Sequence, residues 1–321
     1  MKAAVVKEAG QPPVYADFPC PAAQDGHHLV DVTAAALSRV TRAKAAGSHY
    51  SSSDVLPFVA GLDGTGRRED GQRIYFFGPQ APFGAMAERT LVRAAHCIPL
   101  PDALDDVTAA AIAIPGMSSW AALTERARFA RGETVLVNGA TGASGRLAVQ
   151  IAKYLGAGKV IATGRNAAVL ATLGRLGADA TISLEQDESS LSRAFESHFR
   201  AGVDVVLDYL WGASARSLLI AAAKAAAEAD PVRFVQIGSV SGADLQLPGA
   251  VLRAAPITLL GSGIGSIALP RLLHAVKAVL DASVPAGLQI ATEAVPLAAL
   301  GRYWENADRL ARTVFTPRPR E

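Results

Sequence analysis

Three glycines and one arginine have the plainest capacity for chemistry in this chain. Gly139, Gly142 and Gly145 follow one another at GxxGxxG spacing, and Arg165 comes later, in the run Thr163-Gly164-Arg165-Asn166. Glycines so spaced let a backbone turn sharply and come close to an anion, and a helix starting there offers free N–H groups to negative charge. The segments on either side are of the kind that could position them. Residues 134–138, TVLVN, are strand formers without alternation, as in a parallel strand buried on both faces. Leu147, Ala148, Ile151, Ala152 and Leu155 recur at helical spacing up to Gly156, and residues 160–163 form a second apolar run. A strand–loop–helix–strand unit of this type predicts a dinucleotide site, with Asn138, Gly139, Thr141, Gly142, Ala143, Ser144 and Gly145 at the phosphates.

The end of the second strand selects the dinucleotide. A carboxylate there would bond the adenosine ribose and repel a 2′-phosphate. This chain has Gly164, Arg165 and Asn166 and no acid. A guanidinium forks onto phosphate or stacks on adenine, so NADPH is expected in preference to NADH. Arg165 then reads the phosphate, alone or with Asn166; otherwise it is a solvated arginine at a helix start.

The run NGATGASGRLAVQIAKYLGAGKVIATGRN resembles the cofactor motif of the medium-chain dehydrogenase/reductase superfamily, in its zinc-free quinone oxidoreductase branch. Gly142 and Gly145 match that motif, Ala143 stands where a second glycine is usual, and Val169 replaces a phosphate-binding lysine. The resemblance runs from the opening MKAAVV to the region of Val314 and is looser in the first hundred residues. It implies a GroES-like barrel before the cofactor domain and a small-molecule quinone or enone as substrate. It also implies that Gly238-Ser239 passes close to the nicotinamide, unless those residues are an ordinary strand-end turn. Ser38 stands where the branch has an asparagine near the nicotinamide, and Tyr50 is similar to a tyrosine lining the substrate cleft. A serine there is as often a turn former, and a tyrosine is commonly packing with a wet tip.

In zinc-dependent relatives a cysteine occupies the position of Ser38, and a Gly-His-Glu motif falls on Gly61-Leu62-Asp63. Leucine cannot ligate a metal, and no four-cysteine lobe is present, so no metal site is expected. That constrains the reaction. Oxidising an alcohol calls for zinc-like acidification, whereas reducing a quinone or conjugated carbonyl needs hydride at carbon and hydrogen bonds to the developing oxyanion. The expected function is therefore NADPH-dependent reduction of a quinone or an α,β-unsaturated carbonyl compound. The rivals are a low-turnover NADPH-binding protein with a structural or nucleic-acid-binding role, and an alcohol dehydrogenase. Short-chain reductases are excluded because no tyrosine has a lysine four residues on, and a serine hydrolase because the G-x-S-x-G elbow is missing.

The fold class expected is α/β: a doubly wound parallel (Rossmann) cofactor domain, residues 115–265, and a mostly β GroES-like substrate domain, residues 1–114 and 266–321. Early strand candidates are 3–6, 29–33, 73–77 and 87–92; GLDGTGRREDG, residues 61–71, is short beside the longer stretch usual in the family, so the resemblance implies a deleted loop. A helix is expected over 102–114, capped by Asp102 or Asp105. Later strands are expected at 180–183, 203–208, 234–237, 257–260, 288–291 and 313–316, and helices at 167–176, 189–200, 214–228 and 269–281.

The 321 residues carry a formal charge of +2, which gives no reason to expect nucleic acid or an anionic membrane as partner. Two isolated cysteines, Cys20 and Cys97, read as free thiols in a reducing compartment. With no signal peptide or apolar span evident, a cytoplasmic location is expected. The run 256–263, PITLLGSG, is an apolar edge strand, and the resemblance implies a homodimer across it.

Overall fold

The computed structural model describes residues 1–48, 55–226, 231–305 and 311–317. The chain opens with β1 (Lys2–Val6), β2 (Val14–Asp17) and β3 (His27–Ala36), then α1 (Arg39–Ala45), β4 (Phe58–Val59), β5 (Asp63–Arg68), β6 (Arg73–Phe77), β7 (Arg89–Arg93) and β8 (Cys97–Pro99). β2, β1 and β4 form a small antiparallel sheet, while β3 pairs with β5 and β7, and β6 with β5 and β8.

The segment 61–71, which falls outside the expected strands, forms strand β5 with its turn. Thr65 pairs with Tyr75 and Asp63 with Phe77, and Asp70 closes the turn on the Gln72 N–H. DGTG is a poor strand former in isolation. Gly64 and Gly66 serve here because a Cβ would strike the β3 carbonyls of Ala34 and Asp31, so sheet pairing overrides propensity.

Asp105 caps the next helix, α2 (Asp106–Ala121), by accepting the Thr108 N–H at 3.0 Å. The helix runs on through Pro115 instead of ending there, and continues into a π-turn at Ala122–Arg126. Proline removes the bond to the Ala111 carbonyl, and packing offsets that loss, since Ala109–Ala113 are fully buried in the interior. By length and composition Asp106–Arg126 could cross a membrane, but 72% of its apolar window is buried inside the protein, as in a core helix.

The middle of the chain alternates strand and helix: β9 (Thr134–Asn138), α3 (Ala143–Leu155), β10 (Lys159–Gly164), α4 (Ala167–Leu170), β11 (Ala180–Ser183), α5 (Glu188–Arg200), β12 (Val205–Asp208), α6 (Gly212–Ala225), β13 (Val232–Gln236), α7 (Val251–Ala254), β14 (Ile257–Gly261) and α8 (Leu269–Ser283). The six strands form one parallel sheet in the order β11-β10-β9-β12-β13-β14. The order reverses direction between β9 and β12, which opens a crevice at their carboxyl ends. The helix expected over 167–176 is split into α4 and a 3-10 turn, Leu173–Leu176, which contains the poor helix former Gly174.

The chain closes with β15 (Thr292–Pro296), α9 (Leu300–Trp304) and β16 (Arg312–Thr316). β15 begins at Thr292, beyond the strand expected over 288–291, and pairs with β16, which lies antiparallel to β3. The chain divides into two compact units, Met1–Ile114 with Gln289–Glu321, and Pro115–Leu288. The second extends past the expected boundary at 265 because α8 belongs to it. Leu272, Ala275, Val276 and Val279 of α8 are buried, and Val279 lies so close to Gly116 that a Cβ there would meet it at 2.6 Å.

Candidate functional site

The sequence-predicted residues of the second unit gather at the carboxyl ends of β9, β10 and β13. Beneath them runs a buried chain of hydrogen bonds. The Gly139 N–H donates to Thr163 Oγ1 at 3.2 Å, and the Thr163 hydroxyl donates to Asn138 Oδ1 at 2.7 Å. Asn138 Nδ2 donates to Asp208 Oδ1 at 2.8 Å and to Ser214 Oγ at 3.0 Å. Asn138, Thr163 and Asp208 are wholly shut from solvent. Asn138 therefore supports the loop from below, with its amide committed to the protein. Burial pushes the Asp208 carboxyl up, against hydrogen bonds from Asn138, Leu210 and Trp211 that pull it down.

Above this floor the loop adopts the shape its glycines permit. Gly139 has φ +92°, a left-handed conformation, and carries the Leu210 side chain directly on its Cα. A Cβ on Gly145 would collide with the Gly139 carbonyl, so only glycine lets the helix start this close to the strand. No side chain caps α3, which leaves the N–H groups of Ala143, Ser144 and Gly145 without helical partners. Gly142 faces open space: a Cβ there would find nothing nearer than the Gly139 carbonyl at 3.9 Å. Free donors, a helix N-terminus and an unfilled glycine cradle together fit a pyrophosphate.

At the end of β10, Gly164 lies against Thr141. Arg165 is exposed and forms no ion pair with a described residue. Asn166 caps α4, its Oδ1 accepting the Val169 N–H at 3.0 Å, and Val169 is itself buried, so a lysine's charge would not fit its place. Gly238 rests on the Tyr209 carbonyl, and the exposed Ser239 follows it.

Sequence reading missed Thr163, Asp208, Ser214 and the turn 209–212. The available signal was polar: Thr163 closes the apolar run 160–163, and Asp208 ends the otherwise apolar β12. Asp208 Oδ1 also accepts the N–H groups of Leu210 at 3.0 Å and Trp211 at 3.2 Å. That holds Trp211 at φ +56°, ψ −156°, a backbone region normally left to glycine. Its ring stands edge-on to Phe234.

In the first unit Ser38 is buried and caps α1. Its Oγ accepts the Thr41 N–H at 2.9 Å and lies 2.8 Å from Thr41 Oγ1. The turn-forming role weighed for it is thus real, and one hydroxyl proton of the Ser38–Thr41 pair is left for other use. Tyr50 lies outside the described residues. Among those described, no group of three His, Cys, Asp or Glu side chains stands together as for a metal ion.

The family described as zinc-binding dehydrogenase matches residues 143–282. The chain is 27% identical to a probable NADPH-dependent quinone reductase, tdiC, of Emericella nidulans, over 99% of this chain and 100% of the relative. It is 31% identical to the quinone oxidoreductase of Rattus norvegicus, over 65% of this chain and 66% of the relative. Among solved structures it is similar to the quinone oxidoreductase of Thermus thermophilus, a protein also determined in complex with NADPH, with TM-score 0.82 and 26% identity over 98% of this chain and 100% of that one. The cofactor-type sheet, the glycine loop and these likenesses agree: the chain belongs to the medium-chain dehydrogenase/reductase superfamily, in its quinone oxidoreductase-like branch.

Proposed function

We propose that this protein is a zinc-independent, NADPH-dependent reductase acting on a quinone or an α,β-unsaturated carbonyl compound. The observation that carries the reading is Arg165, an exposed guanidinium with no ion pair among the described residues, beside a loop that fits a pyrophosphate and with no carboxylate at its strand end. The names of the relatives point the same way. Gly139, Thr141, Gly142 and the N–H groups of Ala143, Ser144 and Gly145 would hold the pyrophosphate, with Arg165 and Asn166 at the 2′-phosphate. Bound NADPH supplies a hydride.

The remaining work falls to side chains of this chain. With Thr41 donating to Ser38 Oγ, the Ser38 proton is free to meet an oxygen gaining negative charge, and Tyr50 would line the acceptor's side. Leu62 supports zinc independence, because it offers no lone pair where zinc-dependent relatives place a ligand. A hydroxyl donor is better matched to a conjugated acceptor, whose charge spreads over several atoms, than to an isolated carbonyl. We further propose a homodimer joined along β14, the sheet's outer strand, where Leu259 is 40% exposed, and a cytoplasmic location suited to the free thiols of Cys20 and Cys97. Spectrophotometric loss of NADPH with a panel of quinones and enones tests the activity; tight binding without turnover would favour a non-catalytic NADPH-binding role.

A further inference from the structure

β16, β3 and β5 are neighbours, and their registers bring a polar row together. Val314 pairs with Ala36, and the Leu37 N–H donates to the Thr313 carbonyl at 2.9 Å, so Arg312 comes beside Ser38. Ala34 pairs with Thr65, which carries Asp63 to the level of Ala36. Alternation along the strands then puts Ser38, Ala36, Asp63 and Arg312 on one face. On this face Ala34, Ala36 and Val314 pack with Val107, Ala110 and Ala111 of α2.

Asp63 is 1% exposed. Its Oδ2 accepts the Tyr75 hydroxyl at 3.1 Å, but its Oδ1 is buried without a partner. Arg312 likewise has Nε and Nη2 shut from solvent and unpartnered, and makes no direct ion pair with Asp63. Asp63 Oδ1 and Arg312 Nε and Nη2 thus lie on the face that carries the small residue Ala36, and a bridging water would satisfy them. A buried carboxylate with one bare oxygen is costly, and keeping its proton removes that cost. Burial pushes Asp63 up to about 7, against the pull of Arg312 and of the Tyr75 hydrogen bond. On α2, Asp106 is already taken up by Arg73.

We infer that Asp63 is the proton source of the reduction. The inference rests on the reductase reading and on Ser38 meeting the acceptor's oxygen. The acceptor's carbon gains a hydride from the dinucleotide, the electron pair of its π bond moves to oxygen, and the proton on Asp63 Oδ1 passes through the bridging water to that oxygen. Asp63 is left as a carboxylate facing Arg312 and takes its proton back from solvent. Acceptor, NADPH and one proton thus give reduced acceptor and NADP+.

The test is single-turnover NADPH oxidation by the full chain, with para-benzoquinone and with methyl vinyl ketone, across neutral pH. The acid form is the active one, so the wild-type rate should be full below about 7 and fall above it. Asp63→Asn should lose about a hundred-fold or more in rate, lose the pH limb and keep its NADPH affinity. Tyr75→Phe removes a bond that lowers the Asp63 pKa, so its limb should move to higher pH; a merely structural role would slow the protein without moving the limb. The native pKa lies above the ordinary 3.8, so the stability due to the protonated group is lost progressively as pH rises from 3.8 to about 7, and the melting temperature of Asp63→Asn should climb above that of wild type across that interval and keep the gain at higher pH. Asp63→Asn keeping the wild-type limb overturns the inference. If that variant does not fold, an unmoved limb in Tyr75→Phe overturns it instead. Wild-type protein that oxidises NADPH with neither acceptor sinks the reductase reading, and this inference with it.

Discussion

Asn138 and Asp208 meet across the point where the strand order of the parallel sheet reverses, Nδ2 of one donating to Oδ1 of the other at 2.8 Å. A doubly wound sheet opens its crevice at that point, and here the crevice floor is one continuous hydrogen-bonded chain from β10 to β12. The same carboxylate that steadies the glycine loop through Asn138 also holds the strained backbone of Trp211. Loop and turn are therefore set by one group.

Asp208→Asn should loosen both. Asparagine replaces one carboxylate oxygen by an NH2 donor, facing the Trp211 N–H that Oδ2 accepts at 3.2 Å, and each buried donor left unpaired costs about 1–3 kcal/mol. The expected outcome is a lower melting temperature together with weaker binding of NADPH and NADH alike, measured by thermal denaturation and fluorescence titration. Unchanged affinity for both would show that the network does not shape the site.

Arg165→Ala should discriminate between the two dinucleotides. Only NADPH carries the 2′-phosphate, and a charge-assisted contact is worth about 1.5–3 kcal/mol, roughly ten- to a hundred-fold in affinity. Isothermal titration should show that loss for NADPH and little change for NADH. Equal losses would mean that Arg165 does not read the phosphate.

Ser38 has two roles to separate. As the cap of α1, its replacement by alanine should cost about 1 kcal/mol of stability. As a donor to the reacting oxygen it should also lower kcat about a hundred-fold with NADPH affinity kept. A drop in kcat below about three-fold, about 0.6 kcal/mol, leaves only the cap.

The edge strand β14 carries the expectation about assembly. A homodimer should be seen by light scattering at micromolar concentration, and Leu259→Lys should shift it toward monomer by setting a charge on the open edge. A wild-type monomer would contradict it.

Much of the cofactor unit was legible because its signals are local. Residues 134–138 are apolar without a break, the glycines stand at fixed spacing, and the helix has one apolar stripe, so strand, loop and helix follow from near neighbours. What escaped depends on distant partners. DGTG carries no strand signal until β3 and β6 flank it, and Pro115 reads as a helix end until buried alanines hold the helix through it. Asp208 is seventy positions from Asn138, and nothing near it in sequence announces the pairing. Ser38 could be read either as a turn former or as a donor, and the structure fills the first role while leaving a proton for the second.

The central claim is a zinc-independent hydride transfer from NADPH to a conjugated acceptor. The direct measurement is steady-state NADPH oxidation by chelator-treated protein, with a para-quinone, a small enone, and a saturated ketone of the same size side by side. The account predicts that the quinone or the enone oxidises NADPH at a rate the chelator does not change, while the saturated ketone reacts poorly. Activity that vanishes with the chelator and returns with zinc, or a saturated ketone reduced as fast as the conjugated acceptors, would contradict it.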